Sequence, residues 1–294
     1  MKISLIIYLV GMSLIAPLSS HQQDLPDLTG VKIDLNYRAL CPGEVIKVTI
    51  QENQPLSRVR IEFSGKIYEI RKKAASDRWM AFVGLDLGAQ PGVYFMNFTF
   101  LYQGGKVEKS KEALRVVAKD FPVKRLWVDE KYVTPPSDVL ERIQVESELV
   151  SSLYKRYSLE WFGNGKFIVP CTGDPAPNFG ERRFFNGKPR SPHSGVDISA
   201  PTGTPVNASN SGVVLLATDL YFSGSTVIID HGLGVVSMYC HFSKIDVERG
   251  QFVNKGDKIG EVGTTGRVTG PHLHWGIKIS NSRVDPFSLI FLDF

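Results

Sequence analysis

Cysteine is scarce in this chain, with three in 294 residues, Cys41, Cys171 and Cys240. None is spaced C-x-x-C, which leaves a cysteine-built zinc site or dithiol redox chemistry unsupported. Three thiols cannot all pair within one chain. Cys41 and Cys171 are left to bridge in an oxidising compartment. Cys240 precedes His241 on a strand-like run, so it should face the opposite layer as a small buried hydrophobe. One-sided charge is also lacking: 34 basic against 30 acidic residues give a net +4 and a pI near 8.8. That is mild attraction at most for a polyanionic cell wall, and far from a nucleic-acid footprint, so no nucleic-acid partner is expected. Beyond residue 16 no apolar run could cross a bilayer, and no membrane span is expected in the mature form. No cysteine closely follows the first apolar run, which argues against a lipid anchor.

What is present divides the chain into parts. Residues 1–20 read as a signal peptide, with Lys2 followed by an uncharged apolar run from Ile3 to Ala16. Leu18 makes the cleavage end imperfect, and an uncleaved anchor is the alternative. The protein is expected to be exported, to a periplasm or cell envelope. Residues 25–120 carry short alternating runs between Pro and Gly turns: Val31, Ile33, Leu35; Val48, Ile50; Val59, Ile61, Phe63, then Ile67; and Tyr94, Met96, Phe98, Phe100, with a closing strand near Leu114 to Val117. That pattern predicts an immunoglobulin-like β-sandwich. In 121–160, Val133-Thr134-Pro135-Pro136-Ser137 ends the β pattern, and Ser137 is a candidate N-cap. Leu140, Ile143, Ser147, Val150, Tyr154 and Tyr157 then predict an amphipathic connector helix of about five turns. From 161 to 294, runs such as Val213–Ala217, Thr226–Asp230, Gly234–Tyr239 and Lys258–Val262 alternate with glycines and predict a mostly antiparallel β domain. The fold class is mainly β, with 43% apolar and 22% charged residues ample for a globular core.

The chain has six histidines. Two of them, His272 and His274, bracket Leu273 at strand spacing and leave the same face. Each imidazole brings two nitrogens that need partners, so a side-by-side pair is poor core filler. Upstream, His193 and Asp197 form an H-x-x-x-D. Imidazole and carboxylate suit Zn²⁺, and three protein ligands with a water make a catalytic arrangement. His193, Asp197 and one of the His272/His274 pair would supply that count. His241 lies nearby in character, and alternation places it on the face of Tyr239, away from Cys240; its role stays open on these grounds. His231 sits in the hairpin-like Asp230-His231-Gly232-Leu233-Gly234 and reads as structural. His21, at the expected mature terminus, is given no role. Arg182 and Arg183, just before the first candidate ligand, are read chiefly as surface salt-bridging residues, with contact to a peptide carboxylate as the alternative.

The segment from about Phe179 to Pro286 resembles the catalytic domain of the M23 (LytM/lysostaphin-like) peptidoglycan metalloendopeptidases. The resemblance is carried by His193-Ser194-Gly195-Val196-Asp197, Ala200 through Val206, Tyr239-Cys240-His241-Phe242 and Gly270-Pro271-His272-Leu273-His274-Trp275, in family order. It implies a LytM-type antiparallel-β peptidase domain with Zn²⁺ held by His193, Asp197 and His274. It also implies that His241 and His272 are the catalytic histidines, and that the substrate is a peptide cross-link or stem-peptide bond of peptidoglycan. The N-terminal β module would tether the enzyme, cover its site, or meet a cell-wall or envelope protein partner.

Two other readings compete. Arg249 to Gly260 resembles the turn of a biotinyl or lipoyl carrier around Lys255, which would leave the five His/Asp positions unexplained. A catalytically silent regulator of wall hydrolases with the same fold is the second alternative.

Overall fold

Alternating apolar and polar residues dictate strands, and among the described residues eight form before residue 117. The computed structural model describes residues 21–24, 30–70, 72 and 78–294; the expected signal segment lies outside them. The strands are β1 (His21–Asp24), β2 (Val31–Tyr37), β3 (Val45–Glu52), β4 (Leu56–Phe63), β5 (Lys66–Ile70), β6 (Arg78–Gly84), β7 (Gly92–Tyr102) and β8 (Val107–Val116). They make two antiparallel four-stranded sheets, β1-β2-β3-β6 and β5-β4-β7-β8. Opposed pairs such as Ile33 with Ile50 and Val48 with Ala81 place one apolar row of each strand inward.

Strand β5 reverses the expected phase. Tyr68 and Ile70 are buried, and Ile67 is 52% exposed. The Ser64-Gly65 turn, both residues at positive φ, closes a two-residue hairpin that sets Ile61 opposite Tyr68 and Val59 opposite Ile70. Opposed residues share a face, so this register turns Ile67 outward.

Strand β6 buries Trp79, Ala81, Phe82 and Val83 without clean alternation. Its outer side meets the C-terminal half: Phe82 lies 4.9 Å from the Trp161 ring, and a Cβ on Gly84 would strike Ser282. One continuous apolar core spans both halves. Ion pairs bracket it, Arg38 to Glu44 and Asp285 (2.6 and 2.8 Å) and Arg283 to Asp86 (2.6 Å).

Between the halves run β9 (Val123–Leu126) and helix α1 (Leu140–Tyr154). At 15 residues α1 is about four turns rather than five, and Tyr157 falls beyond it. Ser137 opens a 3-10 turn and caps nothing, because that turn leads straight into the helix. Only Leu153 and Tyr154 are buried, against Leu216, Ile228 and Val236. The exposed half is held by Arg142 to Asp219 (2.9 Å) and by Glu146, which accepts from the Tyr221 N–H (2.7 Å).

The C-terminal strands of three or more residues are β10 (Arg182–Phe185), β11 (Gly195–Ser199), β12 (Pro205–Asn207), β13 (Gly212–Leu220), β14 (Gly224–Gly232), β15 (Val235–Ile245), β16 (Lys258–Val262), β17 (His272–Ile279) and β18 (Ser282–Val284), followed by α2 (Pro286–Ile290). The central order is β11-β17-β15-β14-β13, all antiparallel, with β16 joining β12 to β15. Connector strand β9 pairs in parallel with β10, and so stands beside the sheet as a wall.

Candidate metal centre

Strands β11 and β17 set Asp197 opposite His274 and Ser199 opposite His272. Directly opposed residues share a face, so Asp197 and His274 emerge together while Leu273 and Trp275 fill the core behind them. Gly195 makes the close approach possible: a Cβ there would lie 2.8 Å from the His274 ring and 2.5 Å from the Trp275 carbonyl. His193 enters from the preceding loop. Its Nε2 stands 2.8 Å from His274 Nδ1 and 3.1 Å from Asp197 Oδ1, and His274 Nδ1 is 3.0 Å from the same oxygen.

Three donor atoms thus converge within 4.8 Å of one another. The other nitrogen of His193, Nδ1, faces the Asn178 carbonyl at 3.0 Å and donates to it, which leaves the Nε2 lone pair turned inward. Two imidazole nitrogens and a carboxylate oxygen at this separation fit a divalent ion with zinc's ligand preferences. Burial would raise the Asp197 carboxyl, but the adjacent His193 and His274 imidazoles hold it well below the usual carboxylate range. Burial pushes His274 down to about 4, with His193 adding and Asp197 opposing, so the ring is neutral near pH 7, as ligation requires.

His272 and His241 stand beside this triad. His272 Nε2 lies 3.8 Å from Asp197 Oδ1, too far for a hydrogen bond, and its Nδ1 donates to the Gly270 carbonyl at 2.8 Å. His241 Nδ1 donates to the Thr265 carbonyl at 2.8 Å, and the two rings are 4.9 Å apart. Burial, then the His272 and His274 rings, pushes His241 down to about 3.

The face expected for His241 is corrected. Tyr239 opposes Trp275 in the core and Cys240 opposes His274, so simple alternation would turn His241 toward the core layer of Tyr239, away from the cleft. A bulge in β15 against β14, with His241 at φ +69°, turns its ring back into the cleft beside Cys240. That conformation is uncommon for a non-glycine residue and is the kind of local strain held at functional sites.

Two partners support the triad: Asn178, which no motif marks, and Arg183. Asn178 donates to Asp197 Oδ2 (2.9 Å) and accepts from the Asp197 N–H (3.1 Å). Arg183 donates to the same Oδ2 (2.8 Å) and to Glu181 (3.0 Å). Arg183 therefore forms salt bridges as expected, but within the cleft rather than on the surface, whereas Arg182 is exposed.

The remaining expectations resolve simply. His231 is fully buried between the Ser211 carbonyl (2.8 Å) and Ser237 Oγ (2.7 Å), a structural histidine next to the Leu233-Gly234 turn. Lys255 Nζ is tied to the carbonyls of Asn164 and Lys166. All three cysteines are buried free thiols, and no bridge joins Cys41 to Cys171.

The five His/Asp residues line an open cleft of about 670 Å³. Lys124, Leu126 and Val128 of the connector form part of its wall, and none of the described residues before 117 lines it. Among the described residues no helix is long and apolar enough to cross a membrane.

The profile of Peptidase family M23 matches residues 191–286. Peptidoglycan DD-endopeptidase ShyA of Vibrio cholerae is 43% identical over 109 residues, 37% of this chain and 25% of that protein. The DD-carboxypeptidase/endopeptidase Mpg of Neisseria meningitidis is 43% identical over 97 residues, 33% of this chain and 22% of that one. The matched segment thus spans about a quarter of the length of these curated relatives. A crystal structure from Pseudomonas aeruginosa, assigned to peptidase M23, is similar over much more of the molecule. It matches with a TM-score of 0.65 and 33% identity, across 85% of this chain and 95% of that one. With the likeness running through both halves, this chain belongs to peptidase family M23.

Proposed function

We propose that the chain is a zinc-dependent endopeptidase hydrolysing peptide cross-links or stem-peptide bonds of bacterial peptidoglycan. The observation that carries this is the convergence of His193, Asp197 and His274 on one point of an open cleft, with two further imidazoles beside it. The names of ShyA and Mpg favour a DD peptide bond as the one cleaved.

His193, Asp197 and His274 would hold the ion, and Asn178 and Arg183 fix the carboxylate that faces it. Zn²⁺ in such a site supplies Lewis acidity and brings the pKa of a bound water toward about 7. His241 and His272 each spend Nδ1 on a backbone carbonyl, so each has Nε2 left for the reaction. One Nε2 accepts a proton as water attacks the scissile carbonyl and returns it to the leaving amine. The other donates to the developing oxyanion when it carries a proton on Nε2 as well as on Nδ1. The division of labour fits a site in which His241 stays neutral at working pH.

In this reading residues 1–20 direct export to the periplasm or cell envelope. Residues 25–120 form an immunoglobulin-like module that meets wall or an envelope protein, 121–160 connect, and 161–294 carry the peptidase. The test is digestion of purified sacculi by the zinc-loaded protein, with and without chelator, the fragments identified by mass. Loss of cross-linked dimers that stops with chelator and returns with zinc is expected. Intact dimers after exposure to zinc-loaded protein would instead favour the silent-regulator reading.

A further inference from the structure

Four cationic side chains, Lys124, Arg183, Arg190 and Arg267, line the cleft against two carboxylates, Glu181 and Asp197. Both carboxylates are already bonded to Arg183. Among the described residues neither Arg190 nor Arg267 is paired with an acid. Arg267 is flanked by the Phe185 and Phe222 rings, its Cζ 4.7 and 4.8 Å from their centroids. Arg190 gives one bond to the Val133 carbonyl, while its Nε is buried without a partner.

A guanidinium partly withdrawn from water is costly unless something repays its lost hydration. Flanking aromatic faces offset part of that cost for Arg267 and restrict where its head group can lie. They leave its donors without an acceptor. The repulsion is felt: burial, then Arg190 and Arg183, depresses Arg267 to about 10. A fold that keeps two acid-free arginines next to an open cleft is arranged for an anion that arrives from outside. Guanidinium groups are the side chains best matched to carboxylates, through paired N–H donors.

We propose that Arg267 and Arg190 form an anion subsite in the cleft that takes a free carboxylate of the peptide substrate. The proposal rests on the peptidase reading of the cleft and names the substrates it favours: acidic stem peptides over their amidated counterparts. Arg267 stands five residues before His272, so a carboxylate held there fixes the peptide relative to the reacting centre.

The test is calorimetric binding of two synthetic tetrapeptides to the full zinc-loaded chain. One is Ala-γ-Glu-diaminopimelate-Ala with free carboxylates, and the other is the same peptide with them converted to carboxamides. The free acid should bind about tenfold tighter or more, the usual scale for a charge-assisted contact. Arg267→Gln and Arg190→Gln should each bring the ratio near unity, with zinc content and melting temperature kept. Equal binding of both peptides by the native chain would overturn the proposal. So would an acid preference that survives both variants, since it would report carboxylate ligation of zinc, or the lack of saturable binding by either peptide. Sacculus digestion is read in parallel. Its loss with the acid preference intact would sink the peptidase reading and leave the subsite standing.

Discussion

Replacing Asn178 with alanine isolates what the triad's supporting shell contributes. The side chain makes two bonds to Asp197, donating to Oδ2 at 2.9 Å and accepting from the backbone N–H at 3.1 Å. The backbone carbonyl of residue 178, which takes the His193 Nδ1 proton, survives the substitution. No charge changes. Asp197 keeps only Arg183 on Oδ2, so its Oδ1 is no longer fixed toward His193 and His274. Loss of such an orienting partner typically weakens metal binding about 10–100-fold, or about 1.4–2.8 kcal/mol. Two lost hydrogen bonds should also destabilise the metal-free protein by about 1–3 kcal/mol. Zinc competition against a chromophoric chelator measures the first quantity, and urea unfolding of the metal-free protein the second. An affinity within about threefold of the native protein would show that Asp197 is oriented without Asn178 and refute the reasoning.

Gly195→Ala should be far more damaging than an average Gly→Ala change, because the new methyl would press on the His274 ring and the Trp275 carbonyl; zinc retention measured by elemental analysis should collapse. Asp86 governs an acid-labile lock between the N-terminal half and the C-terminal sheet. Against the upward pull of burial, bonds from Arg283 and Gly88 lower its carboxyl from 3.8 to about 2. A depressed carboxylate stabilises the fold above its ordinary value and loses that contribution as pH falls toward 2. With Asp86 and Arg283 each a third exposed, solvent screening trims the effect to about 1–2 kcal/mol. Asp86→Asn should remove that much at pH 7 and flatten the stability profile between pH 4 and about pH 2 in urea titrations.

Spacing made His193, Asp197 and the His272/His274 pair legible as candidate ligands, and only the family resemblance singled out His274. His272 and His274 are two apart on β17, and the partner strand brings Asp197 opposite His274. His241 was harder, since a bulge and a positive φ break the alternation that any strand reading assumes. Asn178 and Arg183 reach Asp197 from a loop and from β10, and side-chain bonds between segments leave no periodic trace. The same holds for β6: its run Trp79 to Val83 is covered on both sides, so it lacks the half-buried signature that revealed its neighbours. The wall from Lys124 to Val128 looked like linker because a parallel strand borrowed from another part of the chain has no local signal.

The most direct measurement is zinc content and sacculus hydrolysis of His272→Ala beside His274→Ala. The account predicts that the first retains its zinc while losing hydrolysis about 100-fold or more, and that the second loses both. Zinc lost from the His272 variant and kept by the His274 variant would reverse the ligand assignment and contradict it.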